Sequence, residues 1–168
     1  MKTLYLLRHA KSSWKDNNLD DIKRPLKKRG HFQADLLSDH LSSLIPPPQQ
    51  VLCSPALRTR ETLKYFLEVW PLKKEAIHFE KALYLAEKEA LFESVQALPA
   101  KSEIVLIVGH NPGLSDFARK LLLPESEELE TLRTCAFLQI DFDVKSWTQV
   151  TAHTGSLKLN LRPKDLEG

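Results

Sequence analysis

The stretch Leu6-Leu7-Arg8-His9-Ala10 ends an apolar run with an arginine and a histidine side by side. A second histidine, His110, follows another apolar run, Ile104-Val105-Leu106-Ile107-Val108-Gly109. Short aliphatic runs that stop at a polar or glycine-containing turn are typical of buried strands in a parallel sheet. Ligands of open α/β sheets bind outside the carboxyl ends of such strands. We therefore expect both histidines and Arg8 to face one crevice at the same edge of a sheet.

The rest of the chain alternates short strands with amphipathic segments. Apolar residues at helical spacing predict helices over about 27–44, 55–70, 87–98 and 112–122. Ser54 is the candidate N-cap of the second helix. Apolar runs predict strands at 3–8, 51–53, 77–79, 104–108, 134–142 and 147–153, before a polar tail from Asn160 that we expect to be irregular. This order predicts an α/β three-layer sandwich, with a mostly parallel central sheet and helices on both faces.

Length and composition are those of an ordinary globular chain. We expect the 168 residues, of which 42% are hydrophobic and 27% charged, to form one domain spanning 1–168. The net charge of +2 is too small to favour nucleic acid as a partner. The N-terminus lacks the features of a signal peptide, and no apolar run approaches ~18 residues, so no membrane span is expected. Cys53 and Cys135 form no CxxC pair and are interpreted as buried strand thiols, which favours a cytoplasmic location.

The residue types at the predicted crevice suit phosphate chemistry. Imidazole can act as a nucleophile or a proton carrier near pH 7, and arginine is well shaped to hold phosphate. A lone histidine such as His9 is nevertheless more often structural than catalytic. Arg8 could likewise form an internal salt bridge, for instance with Asp116 or Glu61, instead of holding an anion.

Further basic residues could serve either the site or the solvated surface. Arg58 and Arg60 lie in the first turns of the predicted second helix, where a cation is unfavourable by roughly 0.3–1 kcal/mol. One of them could point over the helix N-terminus at an anion, or both could be solvated or paired with Glu61. The runs Lys23-Arg24 and Lys27-Lys28-Arg29 could line the rim of an anion site, although a solvated helix start is the favoured interpretation.

Three motifs, taken in this order, resemble the histidine phosphatase superfamily with its phosphoglycerate-mutase-like fold. They are Leu7-Arg8-His9-Ala10, Ser54-Pro55-Ala56-Leu57-Arg58 and Val108-Gly109-His110. Within that superfamily the chain is similar to the small SixA-like phosphohistidine phosphatases. The segments that support this branch are Arg8-His9-Ala10-Lys11-Ser12, Asp21-Ile22-Lys23-Arg24-Pro25-Leu26 with Gly30, and Gly109-His110-Asn111-Pro112.

The resemblance implies a role for each matching residue. His9 would be the nucleophile that becomes phosphorylated, and Arg8, Arg58 and His110 would surround the transferred phosphoryl group. The two arginines and a protonated His110 would stabilise its negative charge. Arg60 matches no catalytic position and is assigned to the rim. The implied reaction is metal-independent, needs no cofactor and passes through a phosphohistidine enzyme intermediate.

A proton donor for the leaving group is not evident in the sequence. Larger members of the superfamily supply a glutamate, and the candidates here are Glu80, Glu87 and Glu89, all of which could simply be exposed carboxylates. A phosphorylated imidazole leaves more easily than an alkoxide, because its free ring nitrogen can take a proton from water. A missing acid is therefore compatible with phosphohistidine hydrolysis and unfavourable for alkyl phosphates.

These observations support three functional hypotheses. The preferred one is a phosphatase that acts on phosphohistidine in a signalling or phosphorelay protein, such as a histidine-phosphotransfer domain. The alternative is a small-molecule phosphomonoesterase or a phosphoglycerate-mutase-like enzyme. The third is a non-catalytic binder of phosphorylated peptides, which the His9 and His110 pair disfavours because binding alone would need only the arginines.

Overall fold

Six strands form one mixed sheet in the computed structural model, which describes residues 1–126 and 128–167. Glu127 and Gly168, which belong to the predicted domain 1–168, lie outside the described residues. The strands are Lys2–Arg8 (β1), Gln50–Cys53 (β2), Ile77–Phe79 (β3), Ile104–Gly109 (β4), Phe137–Phe142 (β5) and Gly155–Leu161 (β6). Their order in the sheet is β3-β2-β4-β1-β5-β6. The pairs β1–β4, β4–β2 and β2–β3 are parallel, and β1–β5 and β5–β6 are antiparallel.

The helices cover both faces of this sheet. They are Lys28–Ser42 (α1), Leu57–Val69 (α2), Lys88–Gln96 (α3), Gly113–Leu121 (α4) and Pro163–Leu166 (α5). Successive side chains of a strand point to opposite faces. Accordingly Leu4 and Leu6 of β1 join the core beneath α3 and α4, whereas Tyr5 and Leu7 join the core beneath α1 and α2. The predicted α/β three-layer sandwich is confirmed.

The register of the two central strands positions the histidines. Arg8 pairs with Gly109 at the carboxyl ends of β1 and β4, and the backbone N–H of His9 donates to the carbonyl of Gly109 at 3.2 Å. Because β1 and β4 are parallel and end at the same level, His9 and His110 leave the sheet at the same edge. No helix in the described part of the chain is both long enough and apolar enough to cross a bilayer.

The C-terminal region differs from the sequence prediction. Residues 147–153 were expected to form a strand, but Trp147–Gln149 is a 3-10 helix and the strand follows at Gly155–Leu161. The indole of Trp147 is fully buried and its Nε1 donates to the carbonyl of Ser102 at 2.7 Å. Burial of this aromatic against a loop, not pairing in the sheet, therefore explains its apolar surroundings. The expected irregular tail from Asn160 instead completes β6 and forms α5.

Two local predictions were also wrong. Ser54 is not the N-cap of α2, because that helix begins at Leu57 after Ala56. Ser54 instead accepts a hydrogen bond from the backbone N–H of Ala56 at 3.3 Å within the preceding turn. Cys135 lies in a turn before β5, with a φ of 60°, although Cys53 does belong to β2. Both thiols are buried and free.

Candidate active site

His9 is held directly after the end of β1 in an orientation that leaves one ring nitrogen available. Its Nδ1 lies 2.7 Å from the carbonyl oxygen of Ala10. A carbonyl can only accept a hydrogen bond, so Nδ1 carries the proton and the neutral ring has its lone pair on Nε2. The side chain is only 7% exposed. His9 therefore presents an unprotonated nitrogen in a largely dehydrated position.

His110 occupies the corresponding position after β4. The His9 and His110 ring centroids are 5.4 Å apart and the rings are inclined by 55°. His110 Nε2 shares a hydrogen bond with Ser54 Oγ at 2.7 Å, and the edge of Tyr84 packs against the ring at 5.5 Å between centroids. Three different strand ends thus meet at this pair, since Ser54 follows β2 directly.

Both imidazoles are neutral at pH 7. Burial, followed by the charges of Arg58, Arg8 and Arg24, lowers the pKa of His9 to about 4, although the bond to Ala10 acts in the opposite direction. Burial and then Arg58 lower the pKa of His110 to about 3. Burial and the neighbouring arginines thus favour the neutral form of His110, and the protonated His110 expected beside a phosphoryl group stays a prediction.

Arg8 is partly withdrawn from solvent at the end of β1. Its Nη1 donates to the carbonyl of Leu132 at 2.9 Å. Burial, and secondly the charge of Arg58, lower the pKa of Arg8. Neither carboxylate considered from the sequence neutralises it, because Asp116 pairs with Arg119 at 3.3 Å and Glu61 accepts from the backbone of Leu26 at 2.8 Å.

Arg58, in the first turn of α2, is buried and 2% exposed. Its Nη2 forms an ion pair with Asp21 Oδ2 at 3.0 Å, and its Nη1 donates to the Asp21 carbonyl at 2.8 Å. Arg24 Nε reaches the other carboxylate oxygen at 3.1 Å, and the hydroxyl of Tyr84 donates to Oδ2. Asp21 therefore fixes Arg58 from two directions and links it to the loop after β1.

Asp21 is a component of the site that the sequence analysis did not identify. Burial alone would raise its pKa, but hydrogen bonds from Tyr84, Arg58 and Arg24 outweigh that effect and lower the pKa to about 2. It is consequently an anion at neutral pH. The Asp21 and Arg24 spacing within the quoted SixA-like segment was the available signal, whereas nothing in the sequence pointed to Tyr84.

All four predicted site residues line one open cavity of about 940 Å³. Four buried side-chain nitrogens in the described residues have no hydrogen-bond partner, and three of these are Arg8 Nε, Arg58 Nε and His110 Nδ1. Buried polar groups in native proteins are nearly always paired. Arg8 Nε and Arg58 Nε can only donate, so the cavity is short of acceptors, which is the condition that a bound oxyanion would relieve.

The loop between β1 and α1 forms much of the cavity wall. Trp14 lies in this wall and is 71% exposed. The Arg24 guanidinium lies 3.5 Å from the centre of its ring, and Arg24 Nη1 donates to Ser12 Oγ at 2.9 Å. The basic runs contribute Arg24, Lys27 and Lys28 to the lining. Lys27 and Lys28 are exposed at the start of α1, as the favoured interpretation expected, whereas Arg24 is buried.

Two other sequence assignments do not fit the cavity. Arg60, expected at the rim, lies outside the lining, with its guanidinium 4.6 Å from the ring centre of Phe79. The candidate acids Glu80, Glu87 and Glu89 are exposed and line none of this cavity. Glu80 borders a separate depression, and Glu89 pairs with Lys88 at 3.2 Å. Asp21 is the only carboxylate among the described residues that line the cavity.

A metal site was not expected from the sequence. Within residues 1–126 and 128–167, no group of three or more histidine, cysteine, aspartate or glutamate side chains is arranged to hold a metal ion. The charges around His9 come instead from the arginines already described.

Comparison with known proteins defines the class to which this fold and site belong. The sequence profile of the histidine phosphatase superfamily (branch 1) matches residues 4–83. An uncharacterized chloroplastic protein of Arabidopsis thaliana is 35% identical over 162 residues, which cover 92% of this chain and 72% of that protein. An uncharacterized protein of Mycobacterium leprae is 32% identical over 118 residues, covering 68% of this chain and 70% of that protein. The chain belongs to the histidine phosphatase superfamily and is a phosphatase.

Solved structures refine this assignment. A candidate phosphohistidine phosphatase SixA from Nakamurella multipartitia superposes with a TM-score of 0.83 at 25% identity and covers 96% of both chains. The protein histidine phosphatase SixA complexed with tungstate gives a TM-score of 0.82 at 20% identity, covering 98% of this chain and 99% of that one. A mycobacterial glucosyl-3-phosphoglycerate phosphatase has the same fold, with a TM-score of 0.67 at 15% identity and coverage of 98% and 99%. Within the superfamily this chain is SixA-like, as its sequence motifs predicted.

Proposed function

We propose that this phosphatase hydrolyses phosphohistidine on a signalling or phosphorelay protein, and that His9 carries the phosphoryl group as an intermediate. The observation that carries the proposal is a neutral His9 with a free Nε2, in a cavity surrounded by guanidinium groups and without an available carboxylic acid. A nucleophile and charge stabilisation are thus present, whereas no carboxylic acid in the described lining is available to protonate an alkoxide leaving group.

In the proposed reaction, His9 Nε2 attacks phosphorus in line with the leaving imidazole nitrogen of the substrate. A P–N bond forms to His9 as the P–N bond to the substrate histidine breaks, and water protonates the released imidazole. Arg8 and Arg58 stabilise the charge on the equatorial oxygens. Water then attacks phosphorus of the intermediate: its O–P bond forms as the P–N bond to His9 breaks, and the proton it loses neutralises the hydroxide left by the first step. Inorganic phosphate leaves and His9 regains its lone pair.

His110 would contribute through hydrogen bonding in this scheme. Its Nδ1 has no partner among the described residues, and Ser54 holds Nε2 on the other side of the ring. A bound phosphoryl dianion would reverse the local field and raise the pKa of His110, since an opposite charge favours the protonated form. His110 would then gain its proton only while phosphate is present.

The alternative activity on small phosphomonoesters would require an acid that none of the three glutamates supplies in the described arrangement. Asp21 is a poor donor, because its pKa of about 2 leaves it ionised and it already pairs with Arg58 and Arg24. The partner proposed for the chain is therefore a phosphorylated protein. We also propose a cytoplasmic location, which the two free buried thiols favour, although one relative is chloroplastic.

The decisive experiment incubates a phosphorylated histidine-phosphotransfer domain with the wild-type chain and with His9→Ala. We expect rapid loss of phosphate with wild type and a rate at least about 1000-fold lower with the variant, because the nucleophile is missing. Acid-labile phosphate trapped on His9 would identify the intermediate. His40→Ala, at an exposed position in α1, is the matched control and should retain full activity.

Sugar phosphates and nucleotides assayed at several pH values test the alternative. Faster turnover of these compounds than of the phosphoprotein, lost in one of Glu80→Gln, Glu87→Gln or Glu89→Gln, would replace the proposal with a phosphomonoesterase. Equal dephosphorylation of the phosphoprotein by wild type and His9→Ala would refute nucleophilic catalysis by His9.

A further inference from the structure

A second cavity adjoins the candidate active site and carries an unusual charge. We call it the outer basic cavity: it has a volume of about 510 Å³, and its cationic lining residues are Arg8, Lys11, Arg29, Arg133, Arg162 and Lys164. Glu167 is the only carboxylate in the described lining. The whole chain has 24 lysines and arginines against 22 aspartates and glutamates, so this excess of positive charge is local.

The outer basic cavity shares part of its wall with the cavity around His9. Arg8, Lys11 and Thr134 line both cavities. A ligand whose phosphoryl group lies beside His9 can therefore extend past Arg8 without leaving a cationic surface.

Part of this charge is already neutralised, and part is not. Arg29 pairs with Glu167 at 2.6 Å, and Arg162 pairs with Asp165 at 3.0 Å. Lys11, Arg133 and Lys164 have no carboxylate within 4.0 Å among the described residues. Three cations in one concavity repel one another, and an anionic ligand would offset that repulsion.

The backbone of Lys11 is held by hydrogen bonds, whereas its charged side chain is exposed. Its N–H donates to Gln33 Oε1 at 3.0 Å, and its carbonyl accepts from the N–H of Lys27 at 3.0 Å. Gly30 of α1 lies directly beneath, since a Cβ there would be 2.1 Å from the Lys11 carbonyl oxygen. The side chain itself is exposed and forms none of these contacts.

The opposite wall is tied to the nucleophile. Gln33 Nε2 donates to Thr134 Oγ1 at 3.4 Å, which joins the Lys11 segment to the turn that contains Arg133. In the same turn, the N–H of Cys135 donates to the carbonyl of His9 at 2.9 Å. The backbone segments that carry Lys11 and Arg133 therefore hold a set position relative to His9, which a substrate subsite requires.

We propose that the outer basic cavity binds acidic side chains that flank the phosphohistidine of a protein substrate. The inference rests on the proposed function and adds a recognition element to it. Cations that form no ion pair with a described carboxylate also line the main cavity, and they include Lys15, Lys27 and Lys28. Cations distributed over both cavities match several separate carboxylates on a protein surface better than one second phosphate on a small molecule.

The test uses two synthetic peptides that carry the same phosphohistidine, flanked by glutamates in one and by glutamines in the other. The comparison covers wild type, the double variant Lys11→Glu/Arg133→Glu, and the matched control Lys74→Glu/Lys101→Glu. Both double variants change the net charge by the same amount. Lys74 and Lys101 are exposed and precede β3 and β4, at the edge of the sheet opposite the site.

We expect wild type and the control to prefer the glutamate peptide by about tenfold in kcat/KM, as a few partly exposed ion pairs can provide. The Lys11→Glu/Arg133→Glu variant should lose or reverse that preference. Equal turnover of both peptides by wild type, or an unchanged ratio in Lys11→Glu/Arg133→Glu, would overturn the proposed subsite and leave phosphohistidine hydrolysis intact.

Binding of the unphosphorylated peptides, followed by fluorescence anisotropy, separates the subsite from the reaction. A charge-dependent preference in binding without turnover of either phosphopeptide would retain the subsite and reject the proposed function. A small bisphosphate provides the last comparison. If its hydrolysis depends on Lys11 and Arg133 while that of the peptides does not, the cavity holds a second phosphate. That result would overturn the assignment to acidic side chains.

Discussion

His9 and His110 are neutral because of where they lie, not because of any property of histidine itself. Burial is the largest cause of the lowered pKa of each ring, and the surrounding arginines add to it. A neutral His9 is the form that can attack phosphorus. The same environment imposes a cost on stability at acidic pH, because the unfolded chain can protonate imidazoles that the folded chain keeps neutral.

This cost predicts a specific dependence of stability on pH. The folded pKa values of about 4 and about 3 lie below the ordinary value of 6.5, so the unfolded state binds more protons as pH falls below 6.5. The stabilisation is fully present above pH 6.5 and is lost as pH falls toward 4 for His9 and toward 3 for His110, with a loss of about 1–3 kcal/mol for each buried ring by pH 4.5. Urea unfolding at pH 7 and pH 4.5 should show a smaller loss for His110→Gln than for wild type. An identical loss in both would contradict a neutral His110.

Asp21 illustrates a different use of charge. It touches Arg58, Arg24 and Tyr84 and none of the predicted reacting groups, so its role is to position Arg58. An arginine held by two hydrogen bonds is ordered before substrate arrives, which reduces the entropy lost on binding.

Asp21→Asn should therefore impair catalysis without removing any reacting group. We expect kcat/KM to fall about tenfold, because the charge-assisted bond to Arg58 becomes a neutral one. The lowered pKa of Asp21 stabilises the fold above its ordinary value of 3.8, and this contribution disappears as pH falls toward 2. The difference in unfolding free energy between wild type and Asp21→Asn should accordingly shrink over that range.

Asp20→Asn is the control for this substitution, since the Asp20 side chain forms no capping hydrogen bond. If Asp20→Asn lowers kcat/KM as much as Asp21→Asn does, a general loss of negative charge, and not the contact with Arg58, is responsible.

At the scale of elements, α1 and the loop after β1 meet at one glycine. Gly30 is buried, and its missing Cβ gives the Lys11 carbonyl the space it occupies. The N–H of Ala10, between His9 and Lys11, also donates to Thr62 Oγ1 of α2 at 3.0 Å. Two helices therefore hold the segment that follows the nucleophile.

Gly30→Ala should destabilise the protein even though alanine is the better helix former. The new Cβ would lie 2.1 Å from the Lys11 carbonyl oxygen, so α1 or the loop must move. We expect the unfolding free energy to fall by about 1–3 kcal/mol, against a gain of up to ~1 kcal/mol from helix propensity alone. Gly109→Ala serves as the control in denaturant unfolding, because its Cβ would meet only Leu114 at 3.9 Å. A stabilised Gly30→Ala would refute the close contact.

At the scale of the whole molecule, the distribution of charge matters more than its sum. The net charge is only +2, but the linings of the two adjoining cavities are strongly cationic. Fields of this kind attract anionic partners over several ångströms and weaken as salt screens them.

Turnover of an acidic phosphoprotein should therefore depend on ionic strength. We expect kcat/KM to decrease about tenfold between 50 and 300 mM NaCl, mainly through KM, because the Debye length shortens over this range. A small phosphorylated substrate, which contacts fewer of the cations, should show a weaker dependence. Equal salt dependence for both substrates would indicate that only the phosphoryl group is recognised.

The sequence by itself determined the central strands and the residues that converge on the site. The aliphatic runs before His9 and His110 could be predicted as β1 and β4 because a strand buried on both faces is apolar throughout. Their parallel pairing then required both histidines to emerge at one edge. The arginines of the site were predictable from motifs that lie within a few residues of strand ends.

Only the tertiary structure decided the burial, the ion pairs and the protonation states of those residues. The Asp21 and Arg58 ion pair joins positions 37 residues apart. The lowered pKa of His110 depends first on burial and then on Arg58, which lies on another element. The exchange of a predicted strand at 147–153 for one at Gly155–Leu161 depended on the burial of Trp147. Local patterns specify hydrogen bonding along the chain, whereas burial and electrostatic energy depend on distances that exist only after the chain has folded.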